Sequence, residues 1–129
     1  MATVLIVEDD VLINMEAVFI TEALGHATLC AHDVDQALTI LQSDGHIDLL
    51  FTDIRLKSRL LGGYELALQA VDKRSGICVL YTSGGDPKGP SAAMVLDRSH
   101  FLQKPYGGVE LQAALAAALQ GAPARRATV

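Results

Sequence analysis

Short apolar runs alternate with stretches of helical periodicity along this chain, and that alternation leaves few folds open. Val4-Leu5-Ile6-Val7 is the first run; Ala27 to Ala31, Ile47 to Thr52, Ile77 to Tyr81 and His100 to Lys104 follow. Runs this short and this apolar read as strands buried on both faces. From Val11 to Leu24, Ile13, Ala17, Ile20 and Leu24 share one helical face, and Asn14 and Thr21 fall on a polar one. Gly25 is a stop signal. Asp33 with Gln36 forms a capping-box start, and Val34, Ala37, Leu38 and Leu41 give the next helix its apolar stripe before Gly45 ends it. Residues 54–63 form a loop with a basic centre, Lys57-Ser58-Arg59, and a Gly62-Gly63 close. Tyr64, Ala67, Leu68 and Val71 mark a third helix. Pro87, Gly89 and Pro90 delay a short fourth one to 91–97. Leu111, Ala114, Leu115, Ala118 and Leu119 line a last helix and read as core.

Five strand-then-helix units in a row predict one α/β domain, a parallel sheet with helices on both faces. The domain spans 1–120. The remainder, 121–129, carries two arginines and a proline and reads as a flexible tail. Half of the 129 residues are hydrophobic, enough to build a core without staples. Cys30 and Cys78 sit in apolar runs without CxxC spacing and read as reduced core thiols. The net charge of −5, with no basic stripe, argues against nucleic acid as a partner. No basic leader precedes the first strand, and no apolar run approaches the roughly 18 residues of a membrane span. A cytoplasmic location is the expectation. His26, His32, His46 and His100 fall on separate turns and read as structural or solvated.

In a parallel sheet the carboxyl ends of all strands lie on one edge, where ligands bind. Strand one ends in Glu8, Asp9 and Asp10; strand three in Asp53; strand four in Thr82 and Ser83; strand five in Lys104. Asp53 alone reads as readily as an ordinary loop carboxylate. An acidic pair, a threonine at a strand end and a lysine before proline are each common. Together they are specific. Clustered carboxylates repel unless a cation sits among them, and a donor set of oxygen only selects a hard ion; Mg²⁺ suits one or two carboxylates plus a phosphate oxygen. A hydroxyl and an ammonium opposite could hold the remaining phosphate oxygens.

Val7-Glu8-Asp9, Thr52-Asp53, Tyr81-Thr82-Ser83 and Lys104-Pro105 make the chain resemble a receiver domain of bacterial two-component response regulators, of the stand-alone, chemotaxis-receiver-like kind. The likeness covers Val4 to Leu119. The spacings agree with it: 44 residues from Asp9 to Asp53, 29 from Asp53 to Thr82, and 22 from Thr82 to Lys104. The resemblance implies a doubly wound, flavodoxin-like (βα)5 fold with sheet order 2-1-3-4-5. It implies that Asp53 accepts a phosphoryl group from the phosphohistidine of a histidine kinase. Asp9 would ligate Mg²⁺ directly and Glu8 mainly through water, with Asp53 and the backbone carbonyl of Arg55 as further ligands. Thr82 would bond the phosphoryl group after activation, Lys104 would bind a phosphate oxygen, and Phe101 takes the switch-aromatic position. Asp10 falls at the pocket rim. Lys104-Pro105 is expected to be cis.

The chain departs from the family pattern in two places. The family usually has proline four residues after the acceptor, where Lys57 stands here, and the loop to Gly63 is longer than in chemotaxis receivers. A phosphohydrolase that forms an aspartyl phosphate would need an Asp at position 55, where Arg55 stands. A nucleotide-binding domain would need a glycine-rich loop where Glu8-Asp9-Asp10 stands. A signalling protein and not an enzyme is therefore expected. It would act as a monomer or weak homodimer, without a DNA-binding output domain, through a protein partner or a histidine phosphotransfer protein.

Overall fold

The computed structural model describes residues 1–57, 59–84 and 95–126. Five strands and four helices follow one another as β1 (Thr3–Val7), α1 (Val11–Ala23), β2 (Ala27–Ala31), α2 (Val34–Leu41), β3 (Leu49–Asp53), α3 (Gly62–Lys73), β4 (Cys78–Ser83), β5 (His100–Gln103) and α4 (Gly108–Gln120). The strands form one sheet in the order β2-β1-β3-β4-β5, and every pairing is parallel. This is the doubly wound flavodoxin-like order. The helix expected over 91–97 lies largely outside the described residues; Asp97 itself makes an antiparallel bridge to Arg125.

β3 sits at the centre and is buried along its whole length. Period-two alternation sends its side chains to two separate cores. Leu49 and Phe51 join Val4, Ile6 and Leu80 under α1 and α4, where Ala17, Leu111 and Leu115 meet them. Leu50 joins Leu5, Val7, Val79 and Tyr81 under α2 and α3, beside Val34, Ala37 and Leu66. Strands covered on both sides explain runs without polar alternation.

Four details depart from the sequence reading. Asn14 and Thr21 are buried, not on a polar face. The Asn14 amide donates to the carbonyls of Glu8 and Ala31, both at 3.1 Å, and so ties the ends of β1 and β2 together. A polar side chain is at home inside when it satisfies such groups. In its place Leu12, Met15 and Phe19 face outward. Cys30 is exposed, because β2 is an edge strand and turns Leu29 and Cys30 to the surface; Cys78 is buried. α3 begins at Gly62, inside the expected loop. The segment after α4 does not fray at once. Ala124 is buried, its amide donates to the carbonyl of Ile77 at 3.1 Å, and Arg125 bonds Asp97 in both directions. Arg126 forks onto Asp72. Each apolar or bonded group there offsets chain entropy that composition alone leaves uncountered.

α2 stops at Leu41, short of Gly45, and one side chain governs the exit. The guanidinium of Arg74, just past α3, donates to the carbonyls of Leu41 (3.1 Å), Gly45 (2.6 Å) and Ser43 (2.6 Å). A planar fork of donors suits carbonyls that the helix end leaves unpaired. Arg74→Ala is expected to lower stability by about 2 kcal/mol, the value of charge-assisted bonds at a half-exposed site. Arg74→Lys should recover only part of this. A urea midpoint for Arg74→Ala matching wild type would remove this role.

Candidate functional site

The ends of β1, β3 and β5 bring the polar groups together. Glu8 is the first residue past β1 and is 3% exposed; its amide donates to the carbonyl of Ala31. Asp53 is the last residue of β3 and is 6% exposed. Asp9 follows Glu8 and is half-buried. One carboxylate oxygen from each of Glu8, Asp9 and Asp53 lies within 4.8 Å of the others. Among the described residues no other such acidic, histidine or cysteine group occurs. An open cavity of about 530 Å³ is lined by Asp9 and Asp53 together with Arg55, Lys57, Gly84 and Lys104.

Lys104 enters from β5. Its amide donates to the carbonyl of Ser83, which extends the β4–β5 ladder past Gln103. Its ammonium donates to Asp53 Oδ2 at 2.9 Å and to Glu8 Oε1. The Lys104–Pro105 bond is cis. Thr82 stands opposite Asp53 in the β3–β4 register, is buried, and its Oγ1 has no hydrogen-bond partner among the described residues. Phe101 lies opposite Tyr81 in the β4–β5 register, half-buried against the α2–α3 core. Asp10 takes no part in the acidic group. It caps α1, accepting from the amides of Leu12 (2.9 Å) and Ile13 (3.1 Å) through Oδ1. Arg55 is exposed. None of the four histidines joins the acidic group; His26 accepts from the Ala2 amide and His46 pairs with Asp48.

A model of the response regulator receiver domain matches residues 4–116. The chain belongs to the response regulator receiver family. No curated protein matches it. Among solved structures, NtrX from Brucella abortus is 28% identical with a TM-score of 0.79; the match covers 92% of this chain but only 27% of NtrX. The receiver domain of the hybrid histidine kinase CckA is 27% identical over 92% of this chain and 99% of that one, with a TM-score of 0.74. A CheY-like receiver protein from Methanospirillum hungatei shares the fold at 22% identity, TM-score 0.81, covering 93% and 94% of the two chains. Receivers are signalling domains of two-component systems, and phosphorylation and Mg²⁺ are general properties of the family. No described helix is long and apolar enough to cross a membrane.

The charge balance of this receiver's pocket is uneven: three carboxylates face one ammonium. Burial pushes the Glu8 carboxyl up to about 7, against the pull of Lys104. Burial also acts to raise Asp9, but bonding with Glu8 and with the Lys57 amide leaves it below the usual carboxylate range. Lys104 is held above its ordinary value by Glu8 and Asp53, although burial opposes this. The donor set is oxygen only and carries excess negative charge, which fits a hard divalent cation.

A pH dependence follows for the metal-free protein. Glu8 has a folded-state value above its unfolded one, so its contribution to stability is complete below about pH 4.5 and is lost as pH rises through about 7. Asp9 and Lys104 are shifted outward and titrate outside that window. Urea unfolding in chelator should lose about 2 kcal/mol of stability between pH 5 and 8 through this group. Glu8→Gln should flatten that slope. An unchanged slope in Glu8→Gln would contradict the assignment.

Three contributors carry no motif. Asn14 is disguised by its polar type. Gly63 is visible only as half of a glycine pair, yet its amide donates to the carbonyl of Ile54 at 2.7 Å and fixes α3 against the end of β3. The third is the Lys57 amide, which donates to Asp9 Oδ2 at 3.0 Å.

Proposed function

We propose that this receiver accepts a phosphoryl group on Asp53 from the phosphohistidine of a histidine kinase and thereby changes the surface around β5. The carrying observation is Asp53 itself: a nearly buried carboxylate at the end of the central strand, beside two more carboxylates and bonded by Lys104. One oxygen of Asp53 attacks phosphorus, the P–N bond breaks, and the imidazole nitrogen takes the electron pair. Lys104 already lies on Asp53 Oδ2, and its ammonium can follow the negative charge onto a phosphoryl oxygen. Glu8, Asp9, Asp53 and the Arg55 carbonyl would hold Mg²⁺. When bound, the ion supplies neutralising charge for the carboxylates and the incoming phosphoryl oxygens.

Thr82 supplies the readout. Its hydroxyl is buried without a partner among the described residues, a costly arrangement that a phosphoryl oxygen on Asp53 would relieve. Movement of Thr82 toward Asp53 frees space near β5, and Phe101 moves inward. Such a two-state element is biased by a local electrostatic event. The altered surface would be read in the cytoplasm by a protein partner, or the phosphoryl group would pass to a histidine phosphotransfer protein. The receiver is proposed to work as a monomer or weak homodimer. Incubation with Mg²⁺ and acetyl phosphate, or with purified phosphorylated histidine kinases, should add one phosphoryl group by intact mass. No mass gain with any donor would refute the reading.

A further inference from the structure

Residue 57 has an unusual backbone for its type. Lys57 has φ +53°, the left-handed region that few residues other than glycine visit. It follows Leu56, which is buried and bridges Arg59 through two backbone bonds of 3.0 and 2.9 Å. This tight reversal turns the Lys57 amide back toward β1, where it donates to Asp9 Oδ2 at 3.0 Å across 48 residues of sequence. The Lys57 side chain does less. Its ammonium lies 3.6 Å from Asp33 Oδ2, with both groups partly in solvent. Such pairs contribute little. Proline could not serve here, since its ring fixes φ near −65° and it has no N–H to give.

We propose that the Lys57 backbone amide is a positioning group for the metal site: it fixes one oxygen of the Asp9 carboxylate and leaves the other turned to the cation. This rests on the reading of Glu8, Asp9 and Asp53 as Mg²⁺ ligands. An outer partner of this kind fixes a ligand's rotamer before the metal arrives. The stretch between β3 and α3 and its left-handed turn then have a purpose, because together they carry an amide to a carboxylate from another strand.

The test compares variants by Mg²⁺ calorimetry, without phosphodonor. Lys57→Pro deletes the donor and forbids the φ; it should weaken Mg²⁺ binding about tenfold or more. Lys57→Gly keeps the donor and accepts φ +53°; its affinity should stay within about twofold of wild type. Hydrogen exchange guards against a merely misfolded proline variant. The Lys57 amide should exchange slowly in the metal-free wild type and fast in Asp9→Ala. Equal exchange in those two proteins, or a proline variant that binds like wild type, overturns the proposal. So does a glycine variant as weak as the proline one, which would assign the effect to the side chain. Absence of Mg²⁺ binding in wild type would instead defeat the metal-site reading itself.

Discussion

Asp53→Asn is expected to abolish phosphorylation at residue 53 while leaving the fold intact. Asparagine keeps the volume and an oxygen for Lys104, which now donates to Oδ2 at 2.9 Å, so the β3 end need not move. What it loses is the anionic oxygen that must form the bond to phosphorus. With Mg²⁺ and acetyl phosphate, intact mass should show one added phosphoryl group in wild type and none in the variant. Circular dichroism and the urea midpoint serve as fold controls. Glu8 and Asp9 are the competitors, being within 4.8 Å of Asp53. All three are engaged, Glu8 by Lys104 and the Asp10 amide, Asp9 by the Lys57 amide and Asp53 by Lys104, so the site of modification has to be mapped. Peptide mapping that finds the phosphoryl group on either of them, or on Asp10, would remove Asp53 from the centre of the mechanism.

The sheet is legible because burial on both faces writes itself as apolar runs, and parallel order makes the run ends converge. That logic reaches Glu8, Asp9, Asp53, Thr82 and Lys104, each at or just past a strand's end. It does not reach groups whose work is done by the backbone or by satisfying it. Periodicity sorts residues by type, so Asn14 sorts as polar although two strand-end carbonyls hold it inside. Lys57 shows in the sequence only as a basic loop residue where the family usually has proline, because its contribution is the amide. Arg74 looks like one more surface charge, since nothing local marks the carbonyls of Leu41, Ser43 and Gly45 as its partners. The stretch after α4 looks frayed because its anchors, Asp72, Ile77 and Asp97, lie 28 to 54 residues away in the chain. Asp10 carries a further role that its place after the acidic pair does not announce: its carboxylate caps α1.

Gly63→Ala is expected to damage both fold and site, although position 63 bears no functional group. A Cβ there would collide with the carbonyl oxygen of Asp53 and stand 2.7 Å from Ile54 Cα and 2.9 Å from Asp53 C. All three obstacles are backbone, so no rotamer change relieves them. Either α3 withdraws and gives up the 2.7 Å bond from the Gly63 amide to the Ile54 carbonyl, or the end of β3 shifts and carries the acceptor with it. Overpacking against backbone should cost about 3–4 kcal/mol, at the upper end of such substitutions. Phosphorylation of the folded fraction should fall as well, because a shift of about 1 Å in a reacting group can cost a hundredfold in rate. Two neighbours calibrate the effect. A Cβ at Gly62 would meet only side-chain carbons of Arg59, Val34 and Leu56, at 3.1 to 3.3 Å, and Gly62→Ala should cost about 1 kcal/mol. A Cβ at Gly84 would meet nothing within 4 Å among the described residues, and Gly84→Ala should stay within about 0.5 kcal/mol of wild type. If Gly63→Ala unfolds at the same urea concentration as Gly84→Ala and is phosphorylated as fast, the close approach of α3 to the acceptor strand does not constrain the site.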